Sequence, residues 1–181
     1  MRARGWATPI VLAVGAVLLV AACGSSSSDG AGTSPSGQVA SPQAKMICAD
    51  EAVVDVADAL LIKTVAKPKA SWTGEDFTCT YKYAAGAQIV LKVRDLPSDA
   101  AAATYLAGLG RTLHRTSKEI TFGTNGAFAV PDGSVAVQKD SHVLFVDVSG
   151  LPKSWADPPL KPNEAASIVA AAIMGCWTGD D

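Results

Sequence analysis

Residues 18–30, LLVAACGSSSSDG, carry an apolar stretch straight into a cysteine and then a serine tract. This seam limits the fold before any element is assigned, because neither side of it suits a globular core. Trp6 to Val20 is an almost unbroken apolar run, interrupted by Thr8 and Pro9 and preceded by Arg2 and Arg4. A basic start ahead of a short apolar run is the pattern of an export signal. A membrane-spanning helix needs about 20 apolar residues, usually with polar anchors on both flanks, and this run is shorter. On the other side, residues 24–44 are dominated by Gly, Ser, Pro and Ala with no apolar period, so they bury too little surface to order themselves. They predict a flexible tether that holds the remainder of the chain on the order of 25 Å from its anchor. Residues 45–181 are left to form a single domain around one core.

The junction Val20-Ala21-Ala22-Cys23 resembles a lipobox, whose usual form is Leu, two small residues and Cys. The resemblance implies that a signal peptide, residues 1–22, is cut before Cys23 and that the Cys23 sulfur carries a diacylglycerol, the new amino terminus often being acylated as well. Several chains suit the physics, since burial contributes about 0.8 kcal/mol per CH₂ and one acyl chain anchors only marginally. The expected address is the extracytoplasmic face of the cell membrane, held by a lipid anchor. Against this stands the plain alternative that Cys23 is an ordinary small residue of a signal. Without Arg2 and Arg4 the 15 Lys and Arg fall to 13 against 17 Asp and Glu, a net charge of −4. Such a balance argues against a nucleic-acid partner, whose phosphates demand a basic footprint.

Three further cysteines, Cys48, Cys79 and Cys176, fall in a chain expected to reach a compartment where disulfides persist. Three pairings are formally open. Cys48–Cys79 is favoured: Cys48 opens the first helical pattern, and Cys79 sits in a strand, Phe77-Thr78-Cys79-Thr80-Tyr81, that comes after that helix and packs beside it. Cys176 then shares a helical face with Ala165, Ile168, Val169, Ala172 and Ile173, which predicts a buried small hydrophobe, the alternative being a reactive or intermolecular thiol.

Residues 48–63 place Val53, Val56, Ala57, Leu60 and Leu61 on one stripe and Glu51, Asp55 and Asp58 on another, an amphipathic helix with acidic residues in its first turn. Residues 64–75 read as a loop. Strands are expected at 77–83 and 88–95, joined by a hairpin at 84–87, and a helix over 97–113 with Ser98-Asp99 at its start. Short strand pieces come next at 120–122 and 127–130, then a Pro131-Asp132-Gly133 turn, strands at 134–139 and 143–148 around Asp140-Ser141, and a closing helix from Pro162. The expected fold is α+β in two layers: an antiparallel sheet of about five strands covered on one face by three helices, in the order α-β-β-α-β-β-β-α.

The pattern CADEAVVDVADAL followed by TCTY is similar to small actinobacterial cell-envelope lipoproteins of uncharacterised function, mycobacterial ones included. The matching positions are Cys48, Asp55, Val56, Leu60, Cys79 and Tyr81, and the likeness spans residues 46–150. It implies a lipid-anchored α+β domain and no known activity.

Catalysis needs an activated nucleophile or a tuned acid and base within reach of each other. His114, beside Arg111, Arg115 and Lys118, and His142, in a hairpin turn, both read as solvated surface residues. The chain carries no G-x-S-x-G, H-E-x-x-H, C-x-x-C or phosphate-cradling glycine loop, and the acidic stripe Glu51, Asp55, Asp58 lacks the alternating oxygen ligands of a calcium loop. The expectation is therefore no catalytic residues, no metal and no cofactor. Two features remain for binding. The cations Arg111, His114, Arg115 and Lys118 either complement a helix C-terminus or meet anionic headgroups or an acidic wall polymer. Trp155, on a proline-rich loop, either packs on the sheet edge or displays its indole to a protein partner or sugar ring. The leading functional reading is a non-enzymatic binding or accessory domain working with an envelope protein or polymer. The alternative is a carrier of lipid or glycolipid, with room beneath the alanine runs 100–103 and 170–172.

Overall fold

The computed structural model describes residues 39–116 and 126–177. The expected signal (1–22), the expected lipidation site Cys23, the expected tether up to residue 38, Lys118 and the expected strand piece at 120–122 lie outside the described residues.

The domain begins earlier than the composition suggests. A short helix, α1 (Pro42–Met46), opens with Ser41, whose hydroxyl accepts from the Ala44 amide, and Pro42 occupies a first-turn position where its missing N–H costs nothing. Ala40 and Ala44 are buried in the core, so the stretch 40–44, read as the end of the tether, belongs to the fold. Two buried alanines leave no hydrophobic period to detect.

Helix α2 (Asp50–Leu60) carries Asp50 and Glu51 in its first turn and turns Ala52, Val56 and Leu60 inward. It stops where Leu61 adopts a left-handed conformation (φ 57°), which leaves that leucine in solvent instead of on the expected apolar stripe. The segment read as a loop then yields an edge strand, β1 (Lys69–Thr73), whose Trp72 meets Phe77 edge-on at 5.5 Å between ring centroids. Strands β2 (Asp76–Lys82) and β3 (Gln88–Asp95) form the expected hairpin. Helix α3 (Asp99–Thr112) is capped by the Ser98 hydroxyl, which accepts from the Ala101 amide.

Strands β4 (Gly126–Ala129), β5 (Val135–Lys139) and β6 (His142–Asp147) complete the sheet. The Pro131–Gly133 turn packs on the start of the last helix, α4 (Pro162–Trp177). Gly133 has φ +96°, and a Cβ there would lie 2.8 Å from the Asn163 amide nitrogen, so both conformation and space require glycine. All pairings are antiparallel, in the order β1-β2-β3-β6-β5-β4. The class is the α+β antiparallel sheet that the sequence predicts, with six strands and four helices among the described residues.

Side chains alternate across the sheet with a period of two. On the inner face Phe77, Cys79, Tyr81, Ile89, Leu91, Val93, Val135, Val137, Leu144 and Val146 form one core with α1, α2 and α4. The Cys48–Cys79 disulfide ties the start of α2 to this face, with Cα atoms 5.6 Å apart, and the Tyr81 hydroxyl donates to the buried Ile47 carbonyl at 2.7 Å. Cys176 retains its thiol, buried on α4, with Sγ 3.1 Å from Asp55 Oδ2 on α2.

The arrangement departs from the expected two layers in one respect. Helix α3 lies on the outer face, where Ala102 and Leu106 pack on Phe128, Val130, Ala136 and Val143 as a second, smaller core. The Gln138 amide fixes its start by donating to the Asp99 and Asp140 carbonyls. Helix α3 packs mainly on β4, β5 and β6 and reaches β3 through Tyr105, which lies under Arg94, so much of the outer face of β2 and β3 lies beside it.

Candidate binding groove

The open half of the outer face is polar by register. Strand β2 contributes Asp76, Thr78 and Thr80, β3 contributes Val90, Lys92 and Arg94, and β6 contributes Phe145 and Asp147, with Lys92 opposite Phe145 across the β3–β6 ladder. At the step where this surface meets α3 lies a groove of about 150 Å³. Val143 and Phe145 form its floor, Tyr105, Leu109 and Leu113 one wall, and Asp76, Lys92 and Arg94 the other.

The charged wall is held by paired contacts. Arg94 Nε donates to Asp76 Oδ1 at 2.6 Å and Nη1 to Glu75 Oε2 at 2.6 Å, while its guanidinium lies 4.8 Å from the Tyr105 ring centroid. Lys92 Nζ donates to Asp147 Oδ2 at 2.9 Å and sits 5.3 Å from the centre of the Phe145 ring. Burial pulls the Arg94 guanidinium down, but the Asp76 hydrogen bond and the surrounding negative charge outweigh it and hold the group above its ordinary pKa. Desolvation, assisted by Asp76, pushes the Tyr105 phenol up. Asp147 is held below the usual aspartate range, since hydrogen bonds from Ser149 and Lys92 overcome the opposing effect of burial. Together these groups offer directional donors and acceptors over an apolar floor.

A second cluster joins a serine, an aspartate and a histidine at the edge of the domain. The Ser41 hydroxyl and amide donate to Asp95 at 2.8 and 3.1 Å, and His142 Nδ1 lies 2.9 Å from Asp95 Oδ1. In a hydrolytic triad the imidazole stands between hydroxyl and carboxylate, so that it can take the hydroxyl proton. Here the carboxylate stands between the other two, and the hydroxyl is already the cap of α1. The arrangement fastens the chain at residue 41 to β3 and β6.

The features singled out in the sequence fall elsewhere. Arg111, His114 and Arg115 are exposed at the C-terminal end of α3, where the Arg115 amide bonds the Gly110 carbonyl at 2.8 Å and His114 adopts a left-handed conformation. The start of α3 lies by the β5–β6 turn and Asp95, whereas its end lies by Ala129, to whose carbonyl the Thr116 amide donates. A 14-residue helix is about 21 Å long, so Arg111 stands at the opposite end of α3 from the Ser98 cap. Trp155 is half-buried, its ring edge-on to Tyr83 at 4.7 Å, in a loop closed by paired hydrogen bonds with Leu160. Of the alanines that were to leave room for a lipid, Ala102 and Ala170 are fully buried, while Ala100, Ala103 and Ala171 face solvent.

None of the groove residues stood out in the sequence. The alternation of Ile89, Leu91 and Val93 with Lys92 and Arg94 marks β3 as a strand with one polar face, but nothing local says that Phe145 and Tyr105 meet that face. Among the described residues no three His, Cys, Asp or Glu side chains converge as metal ligands, and no helix is long and apolar enough to cross a membrane. Compared with known proteins, the chain matches no family model and no curated sequence.

Proposed function

We propose that this chain is a lipid-anchored envelope protein whose domain acts as a non-enzymatic binding or accessory module at the outer face of the cytoplasmic membrane. The observation that carries the reading is the Cys48–Cys79 disulfide. Disulfides persist in exported proteins and are rare in a reducing cytosol, which is the destination that the apolar run ending at Cys23 calls for. Binding is favoured over chemistry because the ionisable groups of the groove are committed to one another, and because the serine, aspartate and histidine at the domain edge are in the wrong order for proton transfer. The groove favours recognition of a small feature of an envelope protein or polymer over carriage of a lipid, since about 150 Å³ matches a single ring and pockets for drug-sized ligands start at about 300 Å³.

Metabolic labelling with an alkyne palmitate in an actinobacterial host tests the anchor. The wild-type chain is expected to incorporate label and to fractionate with membranes, and a Cys23→Ala variant to lose both. Absence of label in the wild type, with the variant still in the membrane fraction, would remove the anchor from the account.

A further inference from the structure

We infer that the groove beside α3 recognises a single sugar ring, the terminal pyranose of a neutral glycan; this rests on the binding role proposed above and gives it a ligand class. Size sets the first limit. A cavity of about 150 Å³ in an engineered protein accepts one benzene, so a groove of this volume matches one six-membered ring.

Charge sets the second. Lys92 and Arg94 face three carboxylates, Asp76, Glu75 and Asp147, at 2.6 to 2.9 Å. A phosphate or carboxylate ligand would have to displace one of these partners and would meet a site with one more negative than positive charge. A neutral ligand leaves every pair intact.

Hydrogen-bonding capacity separates the remaining candidates. The bonds found use two of the five N–H groups of Arg94 and one of the three of Lys92. A phenyl or indole ring from a protein partner would desolvate this wall and return at most one hydrogen bond, a net cost. A pyranose carries hydroxyls that both donate and accept around its rim, and an apolar C–H face suited to Phe145, Leu109 and Leu113. The paired charges help here too, since their partners hold the side chains in place before the ligand arrives.

The test is a titration of the isotope-labelled full chain, purified from membranes in detergent, with methyl α-D-glucopyranoside, methyl α-D-mannopyranoside and methyl β-D-galactopyranoside, monitored by amide chemical shifts. Saturable shifts are expected at Asp76, Lys92, Arg94, Tyr105 and Phe145 with at least one of the three, with a dissociation constant on the order of millimolar. Arg94→Lys, which keeps the charge but loses the fork geometry, is expected to weaken binding about tenfold. Leu109→Trp, which fills the groove and leaves the charges alone, is expected to abolish it, with the amide shifts around Cys79 unchanged as the check on folding. Two outcomes overturn the inference: no saturable shift with any glycoside up to about 50 mM, or shifts of the same residues with N-acetyl-tryptophanamide alone, which would assign the groove to a protein side chain. Palmitate labelling reports on Cys23 and this titration on the groove, so a failure of either is distinguishable from a failure of the other.

Discussion

Asp95 and His142 face each other across the β3–β6 ladder, and their side chains meet at 2.9 Å while Ser41 bonds the same carboxylate from the entering chain. Burial alone would raise the Asp95 pKa, but hydrogen bonds from His142 and Ser41 hold it below the usual aspartate value. A carboxylate depressed in the folded state contributes stability that is fully present above its unfolded pKa, about 3.9, and is lost as the pH falls through the folded value. With its side chain 34% exposed, solvent screening keeps the effect modest. Asp95→Asn is expected to destabilise by about 1 to 2 kcal/mol at neutral pH, and the gap from wild type is expected to narrow in acid. Urea denaturation at about pH 7 and pH 3 checks this; a gap that stays constant would show that the Asp95 charge contributes nothing.

The Cys48–Cys79 bridge spans 31 residues of sequence. On the chain-entropy model, closing such a loop removes about 3 to 4 kcal/mol of freedom from the unfolded state. The paired Cys48→Ala, Cys79→Ala variant is therefore expected to lose about that much stability by chemical denaturation. Non-reducing peptide mapping should return a 48–79 linked fragment and leave Cys176 alkylated only after unfolding, because its thiol is buried. A fragment joining Cys79 to Cys176 would contradict the pairing.

How far the fold could be read from the chain depended on whether each signal was local. The hairpin β2–β3, the Ser98 cap and the Gly133 turn carry their own chemistry and came out of the sequence within a residue or two. Strand β1 did not, because KASWT lies among lysines and prolines at the sheet edge, where one neighbour suffices and apolar alternation is weak. The side of the sheet that α3 covers was also hidden. Its apolar residues would pack equally well on either face, and the choice is made by contacts such as Leu106 on Phe128 and Gln138 on Asp99 that join distant parts of the chain. The groove inherits that difficulty, since it forms where side chains of α3 meet those of β3 and β6. Charge clustering in the sequence pointed instead to Arg111 and Arg115, which are close together in the chain but finish a helix in solvent.

Tyr81 gives a sharp test of the inner core. Its ring is buried and its hydroxyl donates to the Ile47 carbonyl at 2.7 Å, while burial and the nearby Tyr83 push the phenol far above its ordinary range. Tyr81→Phe keeps the packing and removes the only donor that this contact supplies, stranding a buried carbonyl. A loss of about 1 to 3 kcal/mol is expected, together with faster exchange of the amides in α1, which this bond helps to hold against the sheet. The phenol should also stay neutral in the folded protein well past the pH at which an exposed tyrosine ionises, near 10, and ultraviolet titration reads this directly.

Ala170 decides between close packing and a concealed lipid chamber on the inner face. It is fully buried on α4, as are Ala165, Ala166 and Val169, and α4 lies against α2 and the sheet. Small side chains at such positions either allow helices to approach closely or leave space beneath them. If they allow close approach, Ala170→Leu has nowhere to place three more carbons, and the forced shift of its neighbours costs about 1 to 3 kcal/mol. If they leave space, the added leucine fills it and stability is unchanged or higher, because a filled cavity regains contacts at about 24 cal/mol per Å³. The structure predicts the first result, measured as a lower denaturation midpoint with an unchanged dependence on denaturant. The second would reopen the carrier reading, since room for a leucine beneath α4 would mean a compartment that the packing of Ala166 and Ala170 does not reveal.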